Sequence, residues 1–179
     1  TLDELRTRTH ECLAVTGDVT SQNDVEALAR KVKHRFGRVD VLVNNAGISS
    51  IAAAEKTTPE QWRRVIEVNL TGPFLLCRAL GAMMLAAGSG SIVNVASIAA
   101  LAGVADRVAY NASKHGLLGL TRTLAAEWGG RGVRVNAPAY TQIGTSPIAC
   151  HRHASPLRAT WPRRSCSWLI PPVAASSMA

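Results

Sequence analysis

Tyr110 and Lys114 stand four positions apart in the stretch Tyr110-Asn111-Ala112-Ser113-Lys114, and Ser97 precedes the tyrosine by thirteen. On a helix, positions i and i+4 share one face. A fixed positive charge beside a phenol favours the phenolate form. Such a pair can pass a proton near neutral pH, which a free phenol with a pKa of about 10 does poorly. Ser97 follows a short apolar run, Ile92 to Val95, that reads as a buried strand. In open α/β sheets, ligands bind beyond the carboxyl ends of strands. A strand-end hydroxyl facing a helix-borne phenol and ammonium is a site for interconverting a carbonyl and an alcohol. Taken alone, Tyr-x-x-x-Lys is usually a surface pair, so the weight falls on the elements that position it.

Those elements are legible. Residues 1–9 read as the last turns of a helix, and Cys12 to Val15 as a short strand ended by Gly17. Ser21-x-x-Asp24 resembles a capping box. Val25, Leu28, Ala29, Val32 and Phe36 then recur at helical spacing before Gly37. Val39 to Val43 is a second strand, followed by the turn Asn44-Asn45-Ala46-Gly47. Thr58-Pro59-Glu60 starts a helix that runs to about Ala87, with a bend expected at Gly72-Pro73. Asp106 or Arg107 opens the helix that carries Tyr110 and ends at Trp128, and Val133 to Val135 is a fourth strand. Apolar strands alternating with helices predict a parallel sheet covered on both faces.

Net charge is +8, but its distribution argues against a nucleic-acid partner. Residues 1–138 hold 16 Lys and Arg against all 12 acids, and residues 139–179 hold four Arg and no acid. No basic run is interleaved with aromatics. No signal peptide and no apolar run of membrane-spanning length is read, so the expected location is cytoplasmic. Cys12, Cys77, Cys150 and Cys166 show neither a disulfide framework nor a zinc spacing, and no metal is expected. After about residue 136 the pattern changes: six of the eight prolines lie from Pro138 onward and periodicity is lost. Residues 1–146 are read as one domain and 147–179 as an irregular Pro/Arg/Ser-rich tail. The sequence after about residue 137 reads as frame-shifted, since an alternative frame of Arg158 to Ile170 can encode the helical pattern Asp-Leu-Ala-Glu-Ala-Val-Leu-Phe-Leu-Ala.

Taken together, the motifs resemble the short-chain dehydrogenase/reductase family. Asp18-Val19, Asn44-Asn45-Ala46-Gly47, Asn69 in Val68-Asn69-Leu70-Thr71-Gly72, Ser97, Tyr110 and Lys114, and Val133-Arg134-Val135-Asn136 occur in the family's order and spacing. The resemblance implies an NAD- or NADP-dependent oxidoreductase acting on a small-molecule carbonyl or alcohol, of the 3-oxoacyl or the polyol and sugar-alcohol class. It makes Tyr110 the acid/base, and Lys114 the group that tunes it and holds the nicotinamide ribose. Ser97 would hold the substrate oxygen. Asn69 would fix a helix bend and hold a water that relays protons to Lys114. Asp18 and Val19 would contact the adenine, and Asn44, Ala46 and Gly47 would line the cofactor cleft. Plainer roles are a turn for Asn44 and Asn45, a cap for Asp18, packing for Ser113, and a surface or core place for His115. Asp106, Arg107 and the residues before Tyr110 are candidate substrate contacts.

The sequence also departs from the family. No Gly-rich strand–turn–helix for the pyrophosphate is present in these 179 residues. The expected fold is therefore a partial, Rossmann-like, doubly wound parallel sheet lacking its first two strands and its last. The family is usually tetrameric through the helices carrying Asn69 and Tyr110, whereas the altered C-terminal sequence counts against that assembly here. The second reading is a non-catalytic fragment or degenerate relative that cannot bind the cofactor, and this polypeptide is expected to be inactive.

Overall fold

The computed structural model describes residues 12–139. The proposed domain boundary at 146/147 and the tail lie outside them, as do residues 1–9.

Local sequence sets most element ends. Helix α1 spans Gln22–Phe36. Ser21 is its N-cap, accepting from the Asp24 N–H, and Gly37 closes it at φ 73° with its N–H on the Lys33 carbonyl. Strand β1 is Val41–Asn44. Helix α2, Pro59–Ile66, opens on a full capping box between Thr58 and Gln61, with Pro59 in the first turn where no N–H is missed. A π-helical segment, Glu67–Thr71, joins α2 to α3, Gly72–Ala87. Strand β2 is Gly90–Asn94, helix α4 is Val108–Trp128 and strand β3 is Val133–Asn136. Next to the position of the expected bend the structure has a π-turn, in which the Gly72 N–H reaches the Glu67 carbonyl. Pro73, which has no N–H, cannot continue the normal α-helical ladder.

The three strands are parallel, in the order β1-β2-β3. Leu42 pairs with Ile92 and Ile92 with Val135, so these three side chains share one face. That face carries the core, with Cys77, Leu80 and Met84 from α3 and Leu124 from α4. Ile92 and Met84 are fully buried. The opposite face carries the registered rows Val41–Ser91–Arg134 and Val43–Val93–Asn136. Val41 and Val43 are 59% and 55% exposed there. Among the described residues the sheet is therefore covered on one face, where the apolar strands had predicted two.

Cys12–Val15 forms no strand. A strand exists through its ladder, and no described segment pairs with this one. The long helix also corrects the reading of apolar runs. By length and composition Pro59–Ala87 is long enough to cross a membrane, yet its buried residues Val65, Val68, Leu75, Cys77, Leu80 and Met84 serve a folded core.

Candidate active site

The site forms where the carboxyl ends of β1 and β2 meet the first turns of α4. Lys114 lies on α4 with only 5% of its surface exposed. Its Nζ donates to the Val95 carbonyl at 2.7 Å, one residue past β2. The same nitrogen stands 5.7 Å from the centre of the Tyr110 ring. Burial pushes the Lys114 ammonium below its ordinary value of 10.5. An ammonium has three N–H donors, so the single bond to Val95 leaves two for a ligand. Tyr110 is half-buried.

Asn69, fully buried in the π segment, clamps the turn after β1. Its Oδ1 accepts from the Ile48 N–H at 2.9 Å, and its Nδ2 donates to the Ile48 carbonyl at 2.9 Å. The same Nδ2 donates to Ser113 Oγ at 3.0 Å, and Ser113 Oγ donates to the Tyr110 carbonyl at 2.7 Å. Ser113 is therefore more than packing: it joins the helix bend to the tyrosine's own turn. Gly47, exposed, stands beside both Asn69 and Lys114. A Cβ there would lie 3.5 Å from Asn69 Oδ1 and 3.8 Å from Lys114 Nζ.

The remaining predicted residues line the strand ends. Val19, Val43, Asn44, Asn45, Ala46, Pro73 and Leu76 surround one cleft. Asp18 and Val19 line a second with Val15, Gly17, Asp24, Val25, Leu28 and Leu76. Asp18 also caps its turn. The Thr20 backbone N–H and hydroxyl both donate to Asp18 Oδ1, and Arg64 lies 3.5 Å from Oδ2. The Thr20 backbone bond first, then the Thr20 hydroxyl, hold this carboxylate below its usual range, and Arg64 adds to them. Asn44 is buried beneath the cleft. Its Nδ2 donates to Asn94 Oδ1 at 2.7 Å and approaches Cys77 Sγ at 3.4 Å. Its Oδ1 has no partner.

Ser97 is half-buried at the end of the β2 segment, and its Oγ accepts from the Ala99 N–H at 3.2 Å. No hydrogen bond joins it to Tyr110 or Lys114 among the described residues. His115 is exposed, with Nδ1 2.9 Å from the Asn111 carbonyl. Asp106 adopts φ 58°, a left-handed conformation that Asp tolerates. Its carbonyl accepts from the Ala52 N–H at 2.9 Å, and Ala52 bridges Arg107, so the loops entering and leaving the site are joined. The described residues contain no cluster able to hold a metal.

Residues 1–152 match the family model described as short chain dehydrogenase. The chain belongs to the short-chain dehydrogenase family. It is 48% identical to a D-threitol dehydrogenase of Mycolicibacterium smegmatis over 128 residues, covering 72% of this chain and 49% of that one. A 3-oxoacyl-[acyl-carrier-protein] reductase of Synechocystis is 41% identical over 135 residues, covering 75% and 55%. Among solved structures, a short-chain dehydrogenase from Streptomyces avermitilis matches with TM-score 0.72 at 39% identity, covering 76% of this chain and 51% of that one. A gluconate 5-dehydrogenase from Burkholderia cenocepacia, in complex with NADP and tartrate, matches with TM-score 0.66 at 33% identity, covering 69% and 49%. The chain thus spans about half the length of these relatives.

Sequence reading missed the acceptors Val95 and Ile48, because main-chain carbonyls carry no residue signal. It also passed over Asn94 and Thr121. The Asn94 Nδ2 donates to Thr121 Oγ1 at 2.9 Å, and Thr121 Oγ1 donates to the Leu117 carbonyl at 2.7 Å. A polar residue within a strand's apolar run was the available signal.

Proposed function

We propose that these residues form the acid/base half of an NAD- or NADP-dependent oxidoreductase that interconverts a secondary alcohol and a ketone. The carrying observation is the buried Lys114, held on the Val95 carbonyl beside the Tyr110 ring. Oxidation moves the hydroxyl proton of the alcohol to Tyr110, while Lys114 stabilises the phenolate that accepts it. Ser97 holds the substrate oxygen from the strand end. Asn69 keeps Gly47 and the turn after β1 in place, leaving the open backbone of Ala46 and Gly47 for a flat ring to approach. The residues present fit a nicotinamide ribose, because Lys114 keeps two donors beside that bare glycine. Held by Lys114 and the Gly47 backbone, a nicotinamide dinucleotide would supply the hydride acceptor or donor for the carbinol carbon. Both a polyol and a 3-oxoacyl relative support this site chemistry, so the substrate class stays between those two. A cytoplasmic setting and a homo-oligomer of the whole protein belong to the same proposal.

A second reading has its own observation. These 179 residues contain no Gly-rich strand–turn–helix, and one face of the described sheet is open. The polypeptide alone is then catalytically silent, although its acid/base half is formed. A chimaera tests the acid/base reading, and dinucleotide binding by the polypeptide alone tests the second. Residues 12–139 replace the matching stretch of the M. smegmatis D-threitol dehydrogenase, and NAD- and NADP-linked oxidation of polyols is followed. Turnover is expected, with a loss of about 10²–10⁴-fold on Tyr110→Phe. A folded, active chimaera indifferent to that substitution would refute the acid/base role.

A further inference from the structure

We infer that Asn94 and Thr121 are positioning residues that set the axial register of α4 on the strand ends, and so place Lys114; the inference rests on the acid/base reading for its purpose. Three buried polar side chains cross the otherwise apolar layer between sheet and helices. Asn44 ends β1, Asn94 ends β2, and Thr121 lies on α4. They form one chain of bonds: Asn44 Nδ2 to Asn94 Oδ1 at 2.7 Å, Asn94 Nδ2 to Thr121 Oγ1 at 2.9 Å, and Thr121 Oγ1 to the Leu117 carbonyl at 2.7 Å. Asn94 is fully buried, while Asn44 and Thr121 are 4% and 6% exposed.

The geometry ties this chain to the site at both ends. Lys114 and Thr121 are seven residues apart, two helical turns, so they share a stripe of α4. Both of their strand partners lie at the end of β2: Thr121 bonds Asn94, and Lys114 bonds the carbonyl of the next residue, Val95. The Val95 N–H in turn donates to the Asn44 carbonyl at 3.0 Å. Apolar contacts on a helix tolerate a slide of a fraction of a turn, because they have no direction. Two directed bonds on one stripe do not. An apolar trio would fill this layer as well, but it would leave the ammonium free to leave its carbonyl. A buried polar network that is almost fully bonded fixes one arrangement in this way.

The test uses the full chain and the ε-carbon NMR titration of Lys114, assigned with Lys114→Arg, which needs no catalysis. The titratable group against Lys114 is Tyr110 on its own helix. Gly47, where a Cβ would lie 3.8 Å from Lys114 Nζ, and Val95, whose carbonyl holds it, carry no charge. Thr121→Val keeps the shape and removes the hydroxyl, whereas Thr121→Ser keeps the hydroxyl and removes a methyl. Positioning predicts that the Ser variant titrates with the wild type, while the Val variant shifts upward toward the ordinary 10.5. Pure packing predicts the reverse order: Val is silent, and Ser lowers the unfolding midpoint without moving the titration. That result, or an unchanged titration in every variant, overturns the inference. If Thr121→Val does not fold, Thr121→Ala and Asn94→Leu are read by the same criterion. Failure of Tyr110→Phe in the chimaera would end the acid/base reading, yet leave this test intact.

Discussion

Lys114 is the buried cation of the candidate site, and its burial comes at a cost to the fold. Burial lowers its proton affinity, so holding the ammonium costs the native state more than it costs the unfolded chain. Linkage gives the sign. Between the lowered native value and the unfolded value near 10.5, the unfolded chain binds more protons, so stability rises with pH through that window and levels above it. Cys77 opposes this, because burial raises its thiol from 9.0 to about 11, and stability is lost as pH climbs between those values. Denaturant unfolding of wild type against Lys114→Met, from pH 7 to pH 10, cancels the cysteine. The stability gained by the variant should be largest at pH 7 and shrink toward pH 10. A difference that stays flat with pH would show that Lys114 is not desolvated. At this scale the closeness of Tyr110 and Lys114 was legible because they sit four positions apart on one helix, whereas Asn69 came only from the family resemblance. Ser113, Asn94 and Thr121 were not legible, because their partners lie 44, 50 and 27 positions away, and such pairings are made by the fold.

Helix boundaries were legible for a local reason: Ser21, Gly37 and Thr58 act on backbone groups within a few residues of themselves. The exact form of the bend was not, since a π-turn differs from an α-turn by one shifted bond, and Pro73 marks the neighbourhood of the break without choosing between the two. The absent Cys12–Val15 strand shows the other limit, because a strand is defined by a neighbour. Glycines on the helices separate close packing from helix propensity in the same way. A Cβ on Gly81 would sit 2.7 Å from Trp128 Cζ3, whereas one on Gly119 meets nothing within 4 Å. Gly81→Ala is expected to destabilise by about 1–3 kcal/mol through overpacking of α3 on α4. Gly119→Ala, in mid-helix, is expected to stabilise by about 0.5–1 kcal/mol. Urea unfolding of the two variants checks both signs, and a loss at Gly119 would mean that α4 is covered there.

For the molecule as a whole, the two faces of the sheet decide what the site can hold. Leu42, Ile92 and Val135 are covered by helices, while Val41 and Val43 on the other face stay largely exposed. The parallel-sheet reading was sound because apolar strands were plain in the sequence, but cover on the second face depends on elements the strands themselves do not name. On the proposed reading, Lys114, Gly47 and the clefts around Val19 and Asn44, at the carboxyl ends of β1 and β2, would meet the sugar and the two rings of a dinucleotide. They offer nothing to its pyrophosphate, whose charges are ordinarily met by the N–H groups at a helix start after a Gly-rich turn. Micromolar affinity corresponds to about 8 kcal/mol, and contacts to ribose and rings at an open cleft must also offset the ordering of a flexible ligand. The 179-residue polypeptide is therefore expected to bind NADH and NADPH more weakly than micromolar in calorimetry. Restoring a strand–turn–helix in the chimaera should tighten binding by at least about tenfold, equivalent to about 1.4 kcal/mol. Micromolar binding by the polypeptide alone would show that the described clefts suffice, and would remove the reason for calling it silent.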